Sequence, residues 1–237
     1  YKDKYPENTL IGFKGAVDAG VDVLETDVQV TKDGVVVINH DPTTGRVYDK
    51  DLVVADSNLD ELKDLTNKSD PSQKFLTFQE LAEWVITQKD GLKIMLDIKP
   101  YNNKLILVKI IRDLKNVYND LTFWYDKIIF GLWRLDFYEY GVVTGLIKNF
   151  EIINISISPV ISNTLIEYSQ TVPKGFKLNA ISILDVSSWA NDFDNYRETV
   201  LKPNNIGLYL WTVNSPDDIK KSLAVKVDGM VTDDPVQ

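Results

Sequence analysis

A chain of 237 residues with 44% hydrophobic content is large enough for an α/β domain with a sizeable core. Its 26 basic and 35 acidic side chains leave a net charge of −9 with no block of Lys or Arg, which argues against nucleic acid as a partner because phosphate neutralisation needs a basic face. Cysteine is absent, which excludes disulfides, thiolate ligands and cysteine nucleophiles, and no apolar run of about 18 residues is present to span a bilayer.

The chain opens on "YKDKYPENTL", a polar loop without a signal-peptide core, followed by an amphipathic segment over 8–19. A strand is expected over 22–30, "DVLETDVQV", and a hairpin extension follows in "VTKDGVVVINHD" with Asp33-Gly34 as its turn. A polar insertion then runs from about 42 to 75. Long insertions after barrel strands usually cover the mouth of a site. The stripe Phe78, Leu81, Ala82 and Val85 marks the core face of a helix over 77–89.

Beyond it, strands are expected near 92–99, 127–132, 152–157, 178–184, 207–213 and 228–231. Helical segments near 103–119, 136–149, 162–172, 189–200 and 216–224 alternate with them. A repeat of about 20 to 35 residues is the size of one βα unit, so the pattern predicts a parallel sheet with helical crossovers. No Gly-Ser or Pro-rich linker breaks it, and one domain over 1–237 is expected. The fold class is α/β, a (β/α)8 TIM barrel. Seven strands are counted where a closed barrel needs eight, and a helix leads into the first, so the missing strand is expected upstream of Tyr1. An open seven-stranded sheet is the other topology.

Residues i and i+2 of a strand share a face. Glu25 and Asp27 therefore point the same way, with Leu24, Thr26, Val28 and Val30 on the other side. "LKIMLDIK" repeats the arrangement, with Asp97 and Lys99 opposite Leu92, Ile94, Leu96 and Ile98. Inward carboxylates need compensation. One divalent cation, Mg2+ or Ca2+, held by Glu25, Asp27 and Asp97 is one answer, since hard cations take oxygen ligands. A metal-free network of Lys99 with the carboxylates is the other.

His40, the single histidine, sits just past the same strand and suits proton transfer at neutral pH. A lone histidine is more often a surface or structural residue. Its position beside the acidic strand is what favours chemistry. Asp41 reads as an orienting or loop-capping partner. Trp211 in "LYLWTVN" either packs in the core or walls a substrate pocket, and Trp133 in "FGLW" has the same two readings, with the core favoured.

Together "PENTLIGF", "GVDVLETDVQVTKDGVVVINHD", "LDIKP", "LWTVN" and "VDGMVTDDPV" resemble the glycerophosphodiester phosphodiesterase family, a barrel group, in the family's order along almost the whole chain. "GLWRLDFYEYG", "LDIKP" and "LYLWTVN" look most like its fungal branch of phosphatidylglycerol-specific phospholipases C. The resemblance implies metal-assisted phosphodiester cleavage by His acid–base catalysis. It implies Glu25 and Asp27 as the first two metal ligands, His40 as one of two catalytic histidines, Lys99 as the phosphate-stabilising lysine and Trp211 as the pocket tryptophan. Asp97 stands where most members have glutamate, a form similar to sphingomyelinase D-like enzymes. A further His-Arg pair is expected on the strand preceding "PENT".

The expected function is phospholipase C cleavage of phosphatidylglycerol to diacylglycerol and glycerophosphate. The alternatives are a soluble phosphodiesterase of deacylated lipids and a non-catalytic phosphodiester-binding barrel. A phospholipid or glycerophosphodiester is the expected partner, in an intracellular setting. Any membrane attachment would come through segments outside this chain, and oligomeric state is left undetermined.

Overall fold

The computed structural model describes residues 1–237, which divide into two compact units, 1–128 and 129–237. No helix is long and apolar enough to cross a membrane.

In the first unit, Thr9 caps helix α1 (Leu10–Asp18) by accepting from the Gly12 amide, and Gly20 follows with φ +94. Strand β1 (Val23–Val30) comes next. Gly34 takes the left-handed conformation (φ +84) in the turn that returns β2 (Val36–Ile38) antiparallel to β1, in the register Val28 to Ile38 and Val30 to Val36. The hairpin is thus where the Asp33-Gly34 pair predicts it. β2 brings the strand count to eight, but as an antiparallel partner of β1 rather than a strand preceding α1.

The segment from 42 to 75 differs from the polar insertion expected. It carries helix α2 (Leu59–Lys63) and its own core, in which Tyr48, Val54, Leu62, Leu65 and Phe75 are buried against Val37 of β2. Its apolar residues lie at irregular spacings because turns and bridges such as Thr43 to Val53, not a regular period, bring them together.

Helix α3 (Phe78–Val85) starts at a capping box in which Thr77 and Glu80 satisfy each other's amides, and it buries Phe78, Leu81, Ala82 and Val85 as the stripe predicts. Strand β3 (Lys93–Ile98) then pairs parallel with β1, and helix α4 (Ile106–Val117) packs against α3. A short helix α5 (Leu121–Trp124), not expected from the pattern, places Trp124 in the core.

The second unit is a run of parallel strands. β4 (Ile128–Leu132), which starts at the unit boundary, pairs with β5 (Glu151–Ser156), then β6 (Ala180–Leu184), β7 (Gly207–Trp211) and β8 (Gly229–Met230). Helices α6 (Leu135–Thr144), α7 (Pro159–Thr171) and α9 (Pro216–Ala224) connect successive strands. Prolines at the first helical position begin α7 and α9 after the caps Ser158 and Ser215, and Gly145 ends α6 at φ +75. The single helix expected over 189–200 is instead a 3-10 turn (Asp185–Trp189), helix α8 (Phe193–Tyr196) and a π turn (Arg197–Leu201). All seven strands read from the sequence are present, two in the first unit and five in the second counting β4, and each βα alternation follows the expected order.

Candidate active site

The parallel register of β1 and β3 sets Glu25 beside Met95 and Asp27 beside Asp97. Side chains with the period of two then bring Glu25, Asp27 and Asp97 onto one face, where one oxygen from each lies within 4.8 Å of the others. Asp27 and Asp97 are buried, and Glu25 is the most accessible of the three. The three side chains thus share one face, as the period of two requires.

Lys99 arrives one residue past the end of β3. Its Nζ meets the Asp97 carboxylate and lies 3.1 Å from Asp27 Oδ1. Burial alone would pull this ammonium down, but the charges of Asp97, Asp27 and Glu25 outweigh it and hold Lys99 above the ordinary lysine range. One ammonium still faces three carboxylates. Asp27 Oδ1 is moreover a buried oxygen whose contact to Lys99 is an ion pair without hydrogen-bond geometry. A surplus of carboxylate and a buried oxygen held only by an ion pair fit a hard divalent cation held by Glu25, Asp27 and Asp97. Lys99 pairing and an oxygen site thus occur together, although the sequence presents them as alternatives.

Asn8 of the "PENT" loop supports the triad from behind. Its Nδ2 donates to Asp27 Oδ2 at 3.1 Å, and its Oδ1 accepts from Thr26 Oγ1 at 2.8 Å. The residue holds φ +53 to do this, a conformation asparagine tolerates better than most. Asn8 lies inside a motif singled out above, yet no role was drawn from the motif for it.

His40 is exposed at the end of the β2 strand, and its loop is tied to the acidic strands. The Asn39 amide donates to the Asp27 carbonyl at 3.1 Å. Gln29, two residues beyond Asp27, donates through Nε2 to the carbonyls of Asn39 and Asp41, both at 2.6 Å. From the turn after β3, the Tyr101 hydroxyl donates to the His40 carbonyl at 2.9 Å. Burial first and then the Asp27 charge push the Tyr101 hydroxyl above its ordinary range, which keeps it a donor.

The imidazole itself is oriented by a chain of three side chains. His40 Nδ1 meets Asp41 Oδ1 at 2.7 Å; Asp41 Oδ2 accepts from Arg46 Nε at 2.6 Å. The other edge of the Arg46 guanidinium is bidentate to Glu7, at 2.7 and 2.8 Å. The Arg46 hydrogen bond holds the Asp41 carboxyl below the usual carboxylate range, with a smaller contribution from His40. An ionised Asp41 can only accept, so Nδ1 carries the proton and Nε2 is the nitrogen left for chemistry. Asp41 is thus an orienting partner, as expected. Glu7, Arg46 and Tyr101 were not anticipated. "PENT" and the residue after "LDIKP" mark two of them, but Arg46 pairs with Glu7 across 39 positions without any local pattern.

Trp211 belongs to the second unit, where it closes β7. It is half-buried, its indole donates to the Ser182 carbonyl at 3.1 Å, and its ring stands 5.9 Å from that of Trp133, edge to face. Trp133 is half-buried too, rather than the core residue expected.

The model of the glycerophosphoryl diester phosphodiesterase family matches residues 1–237. A glycerophosphodiester phosphodiesterase of Caldanaerobacter subterraneus subsp. tengcongensis is 28% identical over 97% of this chain and 89% of its own. A lysophospholipase D of Homo sapiens is 25% identical over 98% of this chain and 80% of its own. Among solved structures, a phosphodiesterase of Oleispira antarctica, described in complex with the product sn-glycerol-3-phosphate, superimposes with a TM-score of 0.79 over 98% of this chain and 89% of that one at 19% identity. The enzyme of Thermotoga maritima gives 0.70 over 100% and 92% at 23% identity. These likenesses establish the TIM-barrel-like α/β fold expected from the strand and helix alternation. The chain belongs to the glycerophosphoryl diester phosphodiesterase family and is an enzyme of that type.

Proposed function

We propose that this chain hydrolyses glycerophosphodiesters, the deacylated headgroup esters of phospholipids, to an alcohol and a glycerol phosphate. The observation that carries the reading is the convergence of Glu25, Asp27 and Asp97 beside Lys99. The product in the Oleispira antarctica complex is of the same chemical class. The match of the family model to residues 1–237 supports treating both units as one catalytic domain.

Glu25, Asp27 and Asp97 would hold one divalent cation, Mg2+ or Ca2+, which when bound would polarise the phosphoryl group and acidify a hydroxyl. His40 Nε2 transfers a proton at an ester oxygen while Asp41 steadies the imidazolium through Nδ1. In the forward step the substrate's own glycerol 2-hydroxyl loses its proton to a base and attacks phosphorus. The P–O bond to the departing alcohol breaks, and that oxygen receives a proton. Water then opens the cyclic phosphate with the proton roles exchanged. His40 carries one of the two transfers. Lys99 stays charged throughout and offsets the negative charge of the phosphoryl oxygens.

A phospholipase C acting on phosphatidylglycerol would use the same chemistry but needs an apolar bed for two acyl chains. The insertion does not supply one, because Val54, Leu62 and Leu65 are consumed in its own core. Assaying the intact protein on glycerophosphoglycerol and on phosphatidylglycerol decides between the two. Glycerol phosphate from the former supports this reading, and diacylglycerol alone from the latter overturns it.

A further inference from the structure

In the second unit, large apolar side chains lie at or just past the ends of the four neighbouring strands β4, β5, β6 and β7. Trp133 follows β4, and Trp211 closes β7. Between them, Ile157 follows β5, with Val160 and Ile161 in the first turn of α7, and Val186 and Trp189 lie in the turn after β6. The last five are 53, 75, 45, 47 and 43% exposed. A single exposed aliphatic side chain is ordinary, but these share two adjacent loops joined by a 2.6 Å hydrogen bond from Ser187 Oγ to the Ile157 carbonyl.

The charge around them is as informative. No charged residue occurs from 152 to 166 or from 186 to 191. The cation at the edge is Lys221, whose Nζ lies 3.7 Å from the centre of the Trp189 ring. An uncharged aliphatic surface with an indole and an ammonium at its margin matches a phospholipid interface, where acyl chains meet the aliphatic side chains and the indole and ammonium lie at headgroup depth. An acidic or basic macromolecule would find little to pair with.

We infer that the loops after β5 and β6 form a docking surface for phospholipid aggregates. The enzyme then works at a lipid surface. The inference rests on the phosphodiesterase reading for its choice of substrate, but the docking itself can be measured without turnover.

The test is flotation of the intact protein with vesicles of phosphatidylcholine and of equimolar phosphatidylcholine and phosphatidylglycerol. The comparison is with the double variant Val160→Asp, Ile161→Asp. Both positions are exposed in the first turn of α7, where acidic side chains suit the helix terminus, so the variant should keep its melting temperature. The wild type is expected to float with both vesicles, and the variant's partition to fall roughly tenfold or more. Hydrolysis of glycerophosphoglycerol should be unchanged by the two substitutions. Wild type that stays in the buffer, or a variant that floats equally well, overturns the docking surface while leaving the phosphodiesterase reading intact. Vesicle binding without hydrolysis of any glycerophosphodiester does the reverse. A wild-type dimer in light scattering that the variant disperses would give the patch to a second copy and also overturn the inference.

Discussion

Asp27 and Asp97 are register partners on adjacent parallel strands, and the Lys99 ammonium meets both carboxylates. Glu25 completes a set with more negative charge than one lysine offsets. Replacing Asp27 by Asn should therefore cut kcat by at least about a hundredfold, the scale on which metal sites respond to lost ligand support. Without added cation the variant should melt no lower than the wild type, because relief of carboxylate repulsion compensates the weaker contact to Lys99. The rise in melting temperature that Mg2+ or Ca2+ gives the wild type should vanish. Calorimetric melts with and without cation check both statements.

Lys99→Met keeps the length of the side chain and removes its charge. On the proposed role of that charge at the phosphoryl oxygens, kcat should fall by roughly 10²–10³, comparable with the loss of one preorganised donor in an oxyanion site. Steady-state kinetics on glycerophosphoglycerol measure it. A change confined to KM would instead restrict Lys99 to substrate binding.

The chain Glu7–Arg46–Asp41–His40 predicts a pH effect. Arg46 holds Asp41 ionised, so Asp41 steadies the imidazole down to a pH below the ordinary carboxylate range. In Arg46→Ala the Asp41 carboxyl returns toward its usual value and takes up a proton at higher pH. The acid limb of kcat/KM should accordingly move upward, with kcat lowered about 10- to 100-fold, as for other orienting partners. Arg46→Lys should recover only part of the loss, because an ammonium lacks the fork that bridges Glu7 and Asp41.

Glu80 joins the insertion to α3. Burial pushes its carboxyl upward, but hydrogen bonds from Lys63 and from the Thr77 amide outweigh that and hold it below 4.5. A carboxylate depressed in the folded state contributes stability that is present above its unfolded value and is lost as pH falls through its folded one. Denaturation by urea should therefore show stability falling below about pH 4.5, and Glu80→Gln should flatten that slope. At neutral pH the same variant should lose about 1 kcal/mol through the weakened cap.

The core of the insertion offers an independent check. Leu62 is fully buried among Val37, Val54 and Leu65, so Leu62→Ala should cost about 2–5 kcal/mol in chemical denaturation if this segment unfolds with the rest of its unit. A loss under about 0.5 kcal/mol, the range of surface substitutions, would mean that the segment is only loosely packed.

Much of this architecture was legible before any coordinates. The period of two in "VLETDVQV" and "KIMLDI" places Glu25, Asp27 and Asp97 on one face, because a strand leaves its side chains no other choice. The stripe at 78–85 and the Asp33-Gly34 turn were legible for similarly local reasons. The supports of the site were not. Asn8 reaches Asp27 over 19 positions and Tyr101 reaches His40 over 61, loop to strand and loop to loop, and such pairs leave no periodic trace. The core of the insertion escaped for the same reason, since Tyr48, Val54, Leu62, Leu65 and Phe75 follow no single period. Acid–base work at His40 was read from its place beside the acidic strand as well as from the family resemblance, and the phosphate role of Lys99 from the resemblance alone.

The central claim is that three carboxylates from two adjacent strands hold a cation needed to cleave a glycerophosphodiester. The most direct measurement is glycerol phosphate release from glycerophosphoglycerol by the intact protein, before chelation, after it, and after Mg2+ or Ca2+ is returned. Release that stops with the chelator, resumes with the cation and is absent in Glu25→Gln is the predicted result. Release that continues unchanged through chelation, or in Glu25→Gln at the wild-type rate, would contradict it.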